Sequence, residues 1–521
     1  MLVIISDIHL TDGSSGETVH QGTLRVFRER LRSLAYAASW RVDGRYRPIE
    51  TLDIVLLGDV LDVLRSSRWI HGEEGSGSQV RPWDDPQSQP FIDKVSAITN
   101  GILRKNAIFF ALLRELRETS IATIPPATAD GRPVRTNSDS PHASRVPVRV
   151  RIHYMTGNHD WIYHLPHSPY HAVRRQITAA LGLENDPNQP FPHDPAEESA
   201  AGIRQIFEEH RVFARHGDIY DPFNFEGSRD ASSLGDAIVI DLVSSFAVQV
   251  KRQLGKSLPP ECFSGLKEID NVRPLVMVPV WVSSLLRRTC PEARLYRQVQ
   301  EVWNDLASDF MKIPFVRQHF SSWGTFKNAE KLKWALRFSR EILNPVSSRF
   351  ICWAADRIGN RKSSYYPFAL REEAFRTGKA LFIAYGHTHH HEMVPLTSGW
   401  LPPDFSSRLY FNSGTWRPLH EPARFKVSRE DFVGFHTMTY LAFFKGDERN
   451  GRTFECWSGG LAKSILPAAS PASWQEEDEP KLCESTLCDS TNEARSKGEK
   501  TSRLSHPSPL SHAGMVPFTH E

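Results

Sequence analysis

Five short polar clusters hold most of the residues in this chain that could do chemistry. They are Asp7-Ile8-His9, Gly58-Asp59, Gly157-Asn158-His159-Asp160, His216-Gly217-Asp218 and Gly386-His387-Thr388-His389. Imidazole beside carboxylate suits divalent first-row metals, and the absence of cysteine from all five clusters argues against a structural zinc knuckle. The donors Asp7, His9, Asp59, Asn158, His216, His387 and His389 outnumber what one tetrahedral ion can use. Two ions roughly 3.5–4 Å apart and bridged by a carboxylate are therefore implied, with Asp59 the candidate bridge.

Each cluster ends an apolar run that reads as a strand. Leu2 to Ile5 is β-branched and stops at Ser6-Asp7, Asp53 to Leu57 stops at Gly58-Asp59, and Val148 to Met155 stops at Gly157. Arg211 to Arg215 leads into His216, and Ala380 to Tyr385 into Gly386. Ligands bind outside the carboxyl ends of strands in open α/β sheets, so clusters far apart in sequence can meet there. The adjacent glycines permit sharp turns and close backbone approach.

Helical periodicity fills the intervals. Leu24, Phe27, Leu31, Leu34, Ala35 and Ala38 form one stripe, and a single long helix is expected through Val95, Ile98, Ile102, Phe109, Leu112 and Leu116. Residues 66–90 and 123–147 read as polar loops. From 225 to 380 the strand signal gives way to helical patterns such as Leu332, Ala335, Leu336, Ile342 and Leu343, which predicts an all-helical insertion. Arg408 to Phe411 is a further strand, and Thr437 to Phe444 with Thr453 to Trp457 predicts a hairpin. The expected division is 1–224 and 381–465 for one α/β domain, 225–380 for the insertion, and 466–521 for a disordered tail rich in Pro, Ser, Glu, Lys and Thr.

Composition narrows the class. The 521 residues are 40% hydrophobic and 24% charged, which excludes a wholly disordered or collagen-like chain. Net charge is +2, so no global basic field marks a nucleic-acid binder, and nucleic acid is not an expected partner. The 225–380 segment has 24 Lys and Arg against 16 Asp and Glu, a local +8. An excess of this kind is usually a solvated helical face, with a lid that attracts a nucleotide, nucleic acid or lipid headgroup, or peripheral membrane contact, as the functional alternative. The first apolar run is too short for a signal peptide, Leu275 to Leu286 is too short to span a bilayer, and six scattered cysteines read as reduced thiols. A cytoplasmic protein is expected.

The ordered motifs resemble the calcineurin-like metallophosphoesterase superfamily, over the strands and turns of 1–220 and 380–415. Each motif alone is weak, whereas all five in family order at strand ends are specific. The opening Ser6-Asp7-Ile8-His9-Leu10 and the His216-Gly217-Asp218 cluster resemble the subgroup that contains UDP-diacylglucosamine hydrolase. That subgroup typically has arginine after the metal-binding asparagine, where this chain has His159.

The resemblance implies a four-layer α/β/β/α sandwich with a binuclear centre. Asp7, His9 and His389 would hold the first metal, Asp59 would bridge, and Asn158, His216 and His387 would hold the second. Manganese is the first choice, with Fe, Zn, Mg or Co as alternatives. His159 would face the leaving group as general acid or charge stabiliser, with Asp160 fixing its tautomer. Two cations lower the pKa of a shared water and leave a hydroxide at neutral pH, so a phosphomonoester, phosphodiester or pyrophosphate fits as substrate, on a small molecule, nucleotide or lipid-linked group. The alternative is a catalytically silent binding or scaffold protein.

Other residues carry weaker expectations. Asp218 is either a turn residue or a support behind the ligands. His390 and His391 extend the last cluster, but strand alternation turns at least one outward. Arg65 and Arg68 lie within reach of a phosphate or are solvated. Trp281, Trp303, Trp323, Trp334 and Trp353 are expected in the core of the helical segment.

Overall fold

The computed structural model of the chain describes residues 1–16, 19, 21–70, 80–118, 123–134, 145–273, 277–290, 292–322, 364–397, 407–423 and 432–461. The chain divides into two units, Met1–Ser464 and Ile465–Glu521. The expected tail, the helical stripe at 332–343, Trp323, Trp334, Trp353, Cys352, Cys483 and Cys488 lie outside the described residues.

The protein is a mixed α/β structure with two main sheets. The strands are β1 (Leu2–Ile5), β2 (Thr51–Leu57), β3 (Thr123–Ile124), β4 (Val146–Pro147), β5 (Arg149–Met155), β6 (Val212–Ala214), β7 (Phe382–Tyr385), β8 (His391–Thr397), β9 (Arg408–Ser413), β10 (Pro418–Pro422), β11 (Phe432–Phe443) and β12 (Phe454–Leu461). The first sheet has the order β10-β11-β1-β2-β5, and β12 also pairs with β11. The second has the order β6-β7-β9-β8. Strands β1, β2 and β5 are parallel, as are β6, β7 and β9, so each sheet presents several carboxyl ends on one edge. The expected terminal hairpin is the antiparallel β11–β12 pair.

Residue alternation divides the core. Val3 and Ile5 of β1, with Ile54 and Leu56 of β2, pack in one cluster with Phe27 and Leu31 of helix α1 (Gln21–Ala38) and Val95 and Ile98 of α2 (Gln89–Lys105). Phe110 of α3 (Ala107–Glu118) and Val173 of α4 (Pro169–Leu181) complete that face. The opposite side chains, Leu2, Ile4, Val55 and Leu57, meet Ala214, Phe382, Ala384 and Phe411 of the second sheet, closed at one end by Ile206 and Phe207 of α5 (Ala201–Glu209). Continuous apolar strands are what burial on both faces requires. On its other side the second sheet packs Ile383, Tyr385 and Tyr410 against Tyr365, Ala369 and Phe375.

Three expectations change. The long helix over 95–116 is two helices, because Asn106 caps the first and its side-chain amide donates to the Thr11 and Ile102 carbonyls. The 66–90 stretch includes a 3-10 turn, Ser67–Trp69, whose tryptophan is fully buried. The 123–147 stretch is bracketed by the antiparallel pair β3–β4.

Among the described residues of 225–380 the regular elements are all helical. They carry their own apolar cluster, including Phe246, Cys262, Leu266, Trp281 and Leu286, with Trp303 packed against it. An isolated parallel bridge between Val272 and His420 ties this segment to β10. Among the described residues no helix is long and apolar enough to cross a membrane, and Cys262, Cys290 and Cys456 are free thiols.

Candidate metal centre

The seven expected donors converge at the carboxyl ends of β1, β2, β5, β6 and β7. The turns after β1 and β2 interlock through their backbones, with the Asp7, His9 and Leu10 amides donating to the carbonyls of Gly58, Asp59 and Val60 at 3.1, 2.8 and 2.8 Å. At these turns and at the turn after β7 the chain enters the left-handed region. Asp7, His9, Asp59, His387 and His389 have φ of 53°, 51°, 54°, 68° and 61°, and they are five of the eight non-glycine residues with positive φ among the described residues. Each such residue costs about 1–2 kcal/mol, and strain concentrated in this way is a mark of functional sites.

The glycines leave the room these side chains occupy. A Cβ on Gly58 would lie 2.6 Å from His216 Nδ1, one on Gly386 would lie 2.6 Å from Asp7 Oδ2, and one on Gly157 would strike Asp59 Oδ1.

The donors form two linked groups, Asp7 with His9 and His389, and Asp59 with His216 and His387. In the first, Asp7 Oδ1 lies 3.3 Å from His389 Nε2 and 3.8 Å from His9 Nε2, and the two Nε2 atoms are 3.1 Å apart. Asp59 Oδ2 sits between the groups, 3.6 Å from His9 Nε2 and 3.2 Å from His216 Nε2. A carboxylate oxygen placed so could be shared by two ions. The second oxygen of Asp59 accepts from the His159 amide at 2.8 Å.

The hydrogen bonds behind the ligands decide what they present. His216 Nδ1 donates to the Leu57 carbonyl at 2.9 Å, which leaves the Nε2 lone pair facing the Asp59 carboxylate. His387 Nε2 lies 3.1 Å from Asp221 Oδ2, so a proton there leaves the Nδ1 lone pair aimed at Asn158 Oδ1, 3.0 Å away. The Asn158 amide nitrogen donates to Asn224 and fixes that orientation. His9 Nδ1, 2.8 Å from Asp62, repeats the pattern. The His387 Nδ1 lone pair faces an acceptor, Asn158 Oδ1, and buried Asp7 Oδ1 and His216 Nε2 have no hydrogen-bond partner. Only a proton or a cation between them resolves such contacts, so the donor set fits divalent metals.

The charges of these groups are coupled. Burial opposes ionisation of Asp7 and Asp59, yet the surrounding imidazoles, His216 foremost, hold both carboxyls below the usual carboxylate range. Burial likewise opposes charge on His216, but Asp59 and Asp7 raise it well above the ordinary imidazole value.

His159 is part-buried and edge-on to His9, at a ring-centroid distance of 4.7 Å. Burial lowers its pKa, and the Asp62 and Asp59 charges overcome this to raise it to about 9. The expected orienting partner is corrected here. His159 Nδ1 lies 2.9 Å from Asp62 Oδ1, whereas Asp160 accepts from the amides of Val60 and Gly157 and from the Tyr154 hydroxyl. Asp160 is therefore a clamp between two motif loops, and Asp62 orients both His9 and His159.

Asp218 pairs with Arg229, which donates to the Gly157 carbonyl at 2.9 Å, so it braces the Asn158 loop. Arg65 is buried against Asp270 at 3.0 Å rather than solvated, whereas Arg68 is half-exposed beside Asp12. His390 and His391 are both half-buried, and His391 Nδ1 lies 3.1 Å from the Asn412 carbonyl. Sequence reasoning missed Asp62, Asp221, Asn224, Arg229 and Arg273, whose Nη2 lies 2.8 Å from His389 Nδ1. Asp62 and Asp221 each lie three residues beyond a motif aspartate, Asp59 and Asp218, and that spacing was the available signal. No family model and no curated protein matches the chain.

Proposed function

We propose that the chain is a hydrolase of phosphate esters that depends on two divalent metals, built as a four-layer α/β/β/α sandwich of the calcineurin-like kind with a helical insertion between β6 and β7. The observation that carries this reading is the convergence of seven donors from five strand ends around Asp59, whose Oδ2 lies between the Nε2 atoms of His9 and His216, with the donors after β1, β2 and β7 held at positive φ. Asp7, His9 and His389 would hold one ion and Asn158, His216 and His387 the other, with Asp59 shared. When bound, such a pair supplies Lewis acidity toward phosphate oxygens and makes a water acidic enough to serve as nucleophile at neutral pH.

The chain's own groups do the rest. In its protonated form His159, held through Nδ1 by Asp62, would present its Nε2 proton to the leaving oxygen and offset the negative charge that develops as the ester bond breaks. Asp221 and the Leu57 carbonyl keep the protons of His387 and His216 on the nitrogens turned away from the centre. The buried walls limit water access and leave the His159 and His387 side as the approach.

The test is hydrolysis of para-nitrophenyl phosphate and of its bis ester by the chelator-stripped chain, with Mn, Fe, Zn, Mg or Co added in turn. Turnover restored by metal supports the reading, and the mono-to-diester ratio narrows the ester class. A chain that takes up two ions yet hydrolyses neither ester would favour a silent binding protein.

A further inference from the structure

A separate group of metal-type donors lies outside the strand-end centre. One ligand atom each from His164, His193 and Glu197 lies within 4.8 Å of the other two. His164 ends the 3-10 turn Trp161–His164 that follows the Asn158 motif, while His193 and Glu197 come from the segment just before the 3-10 turn Glu198–Ala200. His164 Nε2 is 3.3 Å from Glu197 Oε2. Two ligands held about 2.1 Å from one tetrahedral ion lie about 3.4 Å apart, so this pair already has the spacing that a zinc ion needs. His193 Nδ1 faces the other oxygen, Oε1, and is a buried nitrogen without a hydrogen-bond partner. The two rings stand nearly perpendicular, at a centroid distance of 4.9 Å, and each turns a nitrogen to the same carboxylate.

The partner behind His164 sets which nitrogen it offers. Asp230 Oδ1 lies 2.7 Å from His164 Nδ1. A carboxylate only accepts, so it keeps a proton on Nδ1 and, in the neutral ring, turns the Nε2 lone pair to Glu197. A carboxylate behind an imidazole in this way is the usual support of a metal-bound histidine. Of the neighbouring arginines, Arg215 pairs with Asp194 and Glu372, and Arg229 pairs with Asp218. Neither Glu197 nor Asp230 pairs with an arginine or lysine among the described residues. Two carboxylates and two imidazoles therefore share this pocket, and a divalent cation satisfies them together.

We propose that His164, His193 and Glu197 bind a zinc ion, with one coordination position left to water and Asp230 fixing the His164 tautomer. Two imidazoles and a carboxylate suit zinc, whereas manganese binds the same donors far more weakly and leaves them free when it is the only metal supplied. The ion ties together the segments that back the Asn158 loop. The Thr156 amide donates to the Pro192 carbonyl at 2.8 Å, the Phe191 amide to the Tyr163 carbonyl at 3.3 Å, and Arg229, next to Asp230, to the Gly157 carbonyl at 2.9 Å. In the chelator-stripped chain protons on the imidazoles take the ion's place, and the same contacts are ion pairs. The site does not depend on the two-ion reading of the centre.

The test is zinc counted by mass spectrometry on chelator-stripped full chain that has been re-equilibrated with zinc and freed of excess by gel filtration. His193→Gln and Glu197→Gln are each expected to hold one zinc fewer than wild type, and the same deficit is expected when each is combined with Asp59→Asn, whose change lies at the strand-end centre. In that Asp59→Asn background, Asp230→Asn is expected to weaken zinc about 10- to 100-fold in competition with a chelator, the cost of removing the partner behind a ligating histidine. All of these side chains outside the centre are partly exposed, and circular dichroism of each stripped variant checks its fold. Zinc counts equal to wild type in both His193→Gln and Glu197→Gln overturn the inference and leave the cluster held by protons alone. A wild-type chain that holds a single zinc, lost in His193→Gln, supports this site while overturning the two-ion centre.

Discussion

At the residue scale, the proposed function depends on which nitrogen of each imidazole carries a proton. Asp62 fixes this for His9 and His159 together. Asp62→Asn is therefore expected to weaken metal binding about 10- to 100-fold, the usual cost of removing a partner behind a ligating histidine. His159→Gln should separate the two roles, with metal content kept and turnover of the para-nitrophenyl esters reduced about 10²- to 10⁴-fold. Equal metal content and turnover in wild type and His159→Gln would remove His159 from the chemistry. The convergence of the seven candidate donors was legible in the sequence because their clusters follow glycines and strand ends. Asp62 was not, since its value comes from reaching across to two other loops. Asp160 misled for the opposite reason: it adjoins His159 in sequence, but its carboxylate turns back to the Val60 and Gly157 amides.

At the element scale, strand ends and glycine turns position the donors. Gly386→Ala places a methyl group 2.6 Å from Asp7 Oδ2 and should cost both metal affinity and melting temperature, measured together on one preparation. A second tie lies further along the Asn158 loop, where His164 pairs with Glu197 at 3.3 Å and with Asp230 at 2.7 Å. Burial opposes charge on Glu197, but His164 and His193 lower it from 4.5 to about 2, while Asp230 and Glu197 raise His164 against the same opposition. The Glu197 contribution is present above its unfolded value and lost as pH falls through about 2. The His164 contribution is full below about 6.5 and lost as pH rises through its raised folded value. The melting-temperature gap between wild type and Glu197→Gln should therefore be widest near about pH 5–6 and narrow on both sides. A gap flat from acid to alkaline pH would contradict the tie. Strands were legible from short apolar runs, whereas the helix break at Asn106 was not, because the apolar stripe continues across it and only a side-chain bond to Thr11 marks the end.

At the scale of the whole molecule, two sheets share one apolar layer, and their edges bring distant motifs together. Phe382 lies in that layer against Phe411, Phe443 and Phe454. Phe382→Ala should cost about 3–5 kcal/mol in chemical denaturation and, through the β7 turn, loosen His387 and His389. The sheet-edge logic was readable in advance, since parallel strands ending in polar clusters have few other arrangements. The helical segment was readable only as helical. Its contribution of Asp270 and Arg273 to the centre depends on the Val272–His420 bridge, which leaves no periodic trace in sequence. The proposed phosphoesterase chemistry depends on a two-ion centre around Asp59. The measurement that addresses it most directly is metal stoichiometry by mass spectrometry after chelator-stripped chain is re-equilibrated with manganese, wild type beside Asp59→Asn. Two ions per chain are expected in wild type and fewer than two in the variant. Wild type without stoichiometric metal, or two ions retained undiminished in Asp59→Asn, would contradict it.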